Sequence, residues 1–158
     1  MRHLAIDLAV VASLAWAASA TSAATRTYVV DDSQSRVEPI SPVLRWRTPL
    51  PLRGAAPMLD ALLNVRVVLN LAPWVGKSAR IYMVMPMSNP SSLSVEWTGA
   101  GNLRGGRLSS GQRQLVYEGI VTAPRLEDTL KLRASVDARD TTTLPPVDFR
   151  FEIEVAAS

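Results

Sequence analysis

Val147-Asp148-Phe149-Arg150-Phe151-Glu152-Ile153-Glu154-Val155 decides the fold. Apolar and charged side chains alternate there without a break. A period of two is the mark of a strand with one face in the core and the other in water. Leu130, Leu132, Ala134 and Val136 repeat the pattern against Lys131, Arg133, Ser135 and Asp137. Leu93, Val95 and Trp97 do so against Ser94 and Glu96, and Val65, Val67, Leu69 and Leu71 against Arg66, Val68 and Asn70. Ala79 to Met85 is apolar on both faces and reads as a central strand. Gln114 to Thr122 reads as another, with Gly119 as a bulge. Tyr28 to Val30 and Val43 to Arg47 are shorter strand candidates.

Turn residues punctuate these runs: Pro73-Trp74-Val75-Gly76, Pro86 to Ser92, the five glycines between Gly99 and Gly111, and Thr141 to Pro146. Pro57 to Leu63 reads as a helix of about two turns, with proline in the first turn and Met58, Leu59, Leu62 and Leu63 on one side. Thr48 to Pro57 reads as an irregular crossing between sheets or a surface loop. Seven or eight short strands with frequent turns point to an all-β, immunoglobulin-like antiparallel sandwich, with a small barrel as runner-up.

The start of the chain sets the compartment. Arg2 and His3 precede an apolar run from Leu8 to Ala18, about 11 residues long. That is too short to span a bilayer, which takes about 20, and suits the core of a secretory signal peptide. Ala18-Ser19-Ala20 and Thr21-Ser22-Ala23 both offer the small residues a signal peptidase needs. The organisation expected is a cleavable signal peptide over 1–23 and one sandwich domain over 24–158. No later segment is long and apolar enough to span a bilayer, and the periplasm of a bacterium, or the space outside it, is the expected location.

Composition excludes several chemistries. The one histidine, His3, falls in the signal segment, and there is no cysteine. A Ser-His-Asp or Cys-His nucleophile and a His/Cys zinc site are therefore out of reach of the domain. No cofactor, metal site or catalytic residue is assigned. Asn89-Pro90-Ser91 is barred from glycosylation by its proline. Gly76-Lys77-Ser78 lacks the earlier glycine of a phosphate loop, since position 71 is Leu71, and it runs into a strand. Glu152 and Glu154 share a strand face at about 7 Å, a spacing that a glycosidase pair could use, but cross-strand pairing with arginines accounts for them. Glu127-Asp128, Asp137 and Asp140 do not form a calcium pattern. The net charge of +3 is carried mainly by arginine, and neither it nor the compartment favours nucleic acid.

What remains is a non-catalytic module of the cell envelope. One form is a structural or protein-interaction subunit, such as one of a surface fibre, that pairs with envelope proteins or with itself by strand addition. In that form Thr25 to Val37 is the candidate donor arm, through Tyr28 and Val30. The alternative is a module for a carbohydrate or an anionic ligand. Its candidate contacts are Trp74, in a turn, and Arg104, Arg107 and Arg113, in and beside the glycine-rich stretch. Trp97 belongs to the core by its strand position. Trp46, flanked by Arg45 and Arg47, is expected to pack inward.

Overall fold

The computed structural model describes residues 24–38, 43–48, 53–88, 92–140 and 147–157. The signal segment 1–23, the Asn89-Pro90-Ser91 turn and the Thr141–Pro146 turn lie outside the described residues. The chain forms an all-β sandwich of two antiparallel sheets. Its strands are β1 (Thr25–Val29), β2 (Arg36–Glu38), β3 (Arg45–Trp46), β4 (Met58–Asn70), β5 (Ser78–Val84), β6 (Ser94–Gly99), β7 (Gly106–Ser109), β8 (Arg113–Ile120), β9 (Arg125–Asp137) and β10 (Arg150–Ala156). The four-stranded sheet has the order β1-β10-β5-β8. The six-stranded sheet has the order β2-β4-β9-β6-β7, with β3 also paired to β4.

The deciding stretch folds as its alternation requires. Phe151, Ile153 and Val155 are buried, while Arg150, Glu152 and Glu154 face outward. The strand begins at Arg150, and Val147 and Phe149 pack against the core from the segment before it. β9 presents Leu126, Leu130, Leu132 and Ala134 to the same core, and β6 adds Trp97, whose indole Nε1 donates to the Arg104 carbonyl at 3.0 Å. β5 lies inside its sheet between β10 and β8. Among the described residues no helix is long and apolar enough to cross a membrane.

Three expectations need correction. Met58 to Leu63 is strand, not helix: β4 runs thirteen residues and is paired with β9 along its whole length. Leu59, Ala61, Leu63, Val65, Val67 and Leu69 form one unbroken inward row. The apolar cluster that suggested a helix arises because Leu62, on the opposite face, is also apolar. The bulge lies at Val116 rather than Gly119, since Ile81 pairs with Tyr117 and Tyr82 with Leu115. The extra residue twists β8 while Val116 stays buried. Trp46 is 56 % exposed. It stands opposite Leu59 in register, but β3 lies at the margin of the wider sheet and Trp46 lines an open hollow beside Asp60 and Leu62 instead of packing inward. Val37 on β2 is left exposed in the same position, so the four-stranded sheet does not cover the inward positions of these outermost strands.

The chain crosses between sheets repeatedly. Among the described residues only β3–β4 and β6–β7 are sequence neighbours paired in one sheet, so the strands on either side of 48–57 belong to the same sheet. Most of the register is therefore set by distant segments meeting, the arrangement that folds slowly for a given stability.

Candidate functional site

Ion pairs run over both outer faces of the sandwich; on the six-stranded sheet Glu127 takes both Arg66 and Arg125. On the four-stranded sheet, cations and carboxylates neutralise one another. Arg80 on β5 donates to Glu118 at 2.8 Å, and Arg104 also approaches Glu118. Arg113 reaches Glu154 while its guanidinium lies 3.9 Å above the Tyr82 ring, and Arg150 bridges to Glu152 at 2.9 Å. Hydrogen bonding by Arg113 holds the Glu154 carboxyl below its ordinary range, and hydrogen bonding by Arg80 does the same for Glu118. Exposed pairs of this kind add little stability each, but they leave little charge unpaired.

The outer face of the six-stranded sheet is concave and holds an open groove of about 820 Å³. Strand register arranges its floor in two rows. Leu62 on β4 stands opposite Arg133 on β9, which stands opposite Glu96 on β6, which stands opposite Arg107 on β7. Two residues along, Asn64, Lys131 and Thr98 form the second row. All seven side chains are exposed, and Leu62, at 69 %, is a large apolar group fully presented to solvent. Arg107 approaches Glu96 at 3.8 Å. Lys131 and Arg133 form no ion pair with any described residue.

Each wall is held by a buried or half-buried carboxylate. On the β3 side, Arg47 straps across β4 onto β9. Its Nε and Nη2 donate to Asp60 at 2.9–3.2 Å, and Nη2 also donates to the buried Ser135 hydroxyl at 2.6 Å. Burial pushes the Asp60 carboxyl up, but hydrogen bonds from Arg47 and Ser135 outweigh this and hold it below its ordinary value. A second hollow of about 540 Å³, lined by Val43, Arg45, Trp46 and Arg47, joins the groove through Leu62 and Arg133.

On the opposite side the wall is Gly105, Gly106 and Arg107. Behind it Asp128, 8 % exposed, points from β9 into the 99–105 segment. Its Oδ2 accepts from the Leu103 amide and its Oδ1 from the Thr129 amide, both at 2.7 Å. Glycine is required by space here. A Cβ on Gly99 would stand 2.1 Å from the Leu103 carbonyl oxygen, and one on Gly106 would stand 2.9 Å from the Trp97 ring. The glycines expected to cradle an anion instead let the segment close over Asp128 and Trp97. Of the five between 99 and 111, Gly111 alone takes a left-handed φ, 78°, in the turn from β7 to β8.

The chain matches no family model, no curated protein and no solved structure.

The structure separates the ligand contacts expected from sequence. Trp74 is half-buried, packs on the core and tilts against Tyr28 with ring centroids 5.9 Å apart. It lies by the β8 terminus near Val121, where Gly76 donates to Val121. Arg113 begins the same strand, roughly 20 Å away. Arg104 and Arg113 belong to the ion-paired face, and only Arg107 borders the groove. Tyr28 lies in β1, paired with Ile153 of the same chain, and Val30 is buried in the core, so both complete this chain's own sandwich. Glu154 is bound by Arg113 from another strand, as expected, whereas Glu152 is bound by Arg150 of its own strand rather than by a cross-strand partner. Among the described residues no three His, Cys, Asp or Glu side chains converge as metal ligands.

Sequence reasoning passed over Leu62, Lys131 and Arg133. A signal for them was present. The wet face of β10 alternates Arg150 with Glu152 and Glu154, whereas that of β9 keeps its acids, Glu127 and Asp137, toward the ends and leaves Lys131 and Arg133 adjacent in the middle.

Proposed function

We propose that the protein is an exported, non-catalytic binding module of the cell envelope, and that it engages an envelope component through the outer face of its six-stranded sheet. The observation that carries this reading is a gap in the ion pairing: both faces pair most of their charges, but the six-stranded sheet presents Leu62, Lys131 and Arg133 uncovered in an open groove. A large exposed apolar side chain among unpaired cations on an ordered sheet is a surface suited to a partner. The basic start, the short apolar run and the small residues before Ala24 support export. Use of the acids in arginine pairs supports a role without acid–base chemistry.

Sedimentation with isolated bacterial envelopes tests the reading. Lys131→Glu combined with Arg133→Glu should abolish co-sedimentation, while Lys77→Glu, in an exposed turn remote from the groove, should not. Equal binding by both variants would remove the groove from the account. The fibre-subunit reading depends on the arm from Thr25 to Val37. In this fold β1 and β2 already take places in the chain's own sheets, so polymerisation that requires the arm would favour that reading instead.

A further inference from the structure

Building on the groove as the binding face, we propose that its ligand is an acidic polysaccharide, a chain of carboxylate-bearing sugars lying across the two side-chain rows. The first argument is charge. Five cations line the groove and the adjoining hollow: Arg45, Arg47, Arg107, Lys131 and Arg133. Two carboxylates, Asp60 and Glu96, line them as well: Arg47 bonds Asp60, to which Arg133 adds attraction, and Arg107 approaches Glu96. Arg45, Lys131 and Arg133 remain without an ion pair among the described residues, so the surface calls for anions.

The second argument is the spacing of those cations. Lys131 and Arg133 are two residues apart on one strand, about 7 Å, and Arg45 on β3 is two strands from β9, about 10 Å. They form an array and do not converge on a point. A single small anion would meet one or two of them, whereas a polymer with one carboxylate per unit meets all three.

The third argument is the chemistry between the charges. β9 and β6, at the middle of the face, are each paired on both sides, so their backbone groups are consumed by the ladders. The middle of the face therefore recognises through side chains alone. An extended peptide binds a sheet chiefly by adding backbone hydrogen bonds at an edge, which the Lys131–Arg133 strand does not supply. Asn64 and Thr98 offer an amide and a hydroxyl to sugar hydroxyls, and Leu62 offers an apolar contact to a sugar ring. A second copy of the chain docking face to face would set Lys131 and Arg133 against their own counterparts, which like-charge repulsion disfavours.

Calorimetric titration of the purified protein with an oligogalacturonate of about ten units tests the proposal, alongside neutral dextran of equal length and poly-L-glutamate. Oligogalacturonate should bind, dextran should not, and poly-L-glutamate should bind at least several-fold more weakly. At about 0.2–1 kcal/mol per exposed ionic contact, Lys131→Gln should weaken binding about 3-fold and the Lys131→Gln/Arg133→Gln pair about 10-fold, with Lys77→Gln unchanged. Rising salt should weaken binding as well. Urea unfolding of each variant should match the parent, since all three side chains are exposed. Equal binding of dextran, equal or tighter binding of poly-L-glutamate, or an equal loss in Lys77→Gln would overturn the proposal. If oligogalacturonate fails while groove variants still lose envelope binding, the ligand chemistry is wrong and the binding face stands. If neither material binds through the groove, both readings fall.

Discussion

Asp128→Ala is expected to loosen the groove wall and to destabilise the whole sandwich. In the native fold the carboxylate is almost fully buried and takes hydrogen bonds at 2.7 Å from the Leu103 and Thr129 amides. Alanine leaves both donors without that acceptor. A buried donor left unsatisfied costs about 1–3 kcal/mol, and bonds to a charged acceptor sit in the upper part of the range. Thr129 is only partly buried, so the sum is about 2–4 kcal/mol. That is a large share of the roughly 5–15 kcal/mol that stabilises a domain of this size. At a urea dependence of about 2 kcal/mol per molar, the middle of the usual range, the midpoint should fall by about 1–2 M. Asp128→Asn keeps one carbonyl oxygen and turns an amide group toward the other donor, so its loss should be intermediate. The assay is urea unfolding followed by tryptophan fluorescence, with Trp97 reporting on the 99–105 segment through its bond to the Arg104 carbonyl. A shift of less than about 0.5 kcal/mol for Asp128→Ala would refute the role given to this carboxylate.

Two further outcomes follow from the same geometry. Gly106→Ala puts a methyl 2.9 Å from both the Trp97 ring and Gln114 Cγ, so overpacking should cost about 1–3 kcal/mol in the same unfolding assay, and an unchanged midpoint would show that the segment yields freely. Stability should fall in acid: hydrogen bonding to arginine lowers Glu118, Glu127, Asp137 and Glu154, and Asp60 is also lowered because its hydrogen bonds outweigh burial. These groups stabilise fully above their ordinary values of 3.8 and 4.5, and that contribution is lost as the pH drops through the lower native values. Asp32, raised by burial, opposes the trend as a single group. A urea midpoint at pH 3.5 equal to that at pH 7 would contradict the pairing.

The parts of the fold that were legible in the sequence are those where burial enforces a strict period. β10, β9 and β6 each carry one wet and one dry face, and alternation marks them. β4 was legible only in its second half, because exposed Leu62 beside buried Leu63 imitates a helical stripe. An apolar residue on the solvent face breaks the pattern by which a strand is recognised. Trp46 was misjudged for a different reason: alternation tells which side of a sheet a residue takes, but not whether the opposite sheet reaches that far. The groove was hidden because its members are separated by roughly 70 residues, from Leu62 to Arg133, and are joined only by register. The glycine-rich stretch looked like an anion cradle because glycine serves equally for positive φ, for ligand approach and for close packing. Here packing against Trp97 and Asp128 accounts for most of it.

The central claim is that the outer face of the six-stranded sheet is where this protein meets its partner. Amide chemical-shift mapping of the labelled protein during titration with solubilised envelope polysaccharide tests it most directly. The account predicts progressive shifts at Leu62, Asn64, Thr98, Lys131 and Arg133, with little change at Tyr28, Trp74 and Arg113. Shifts centred on the β1 edge or on Trp74, with the groove silent, would contradict it.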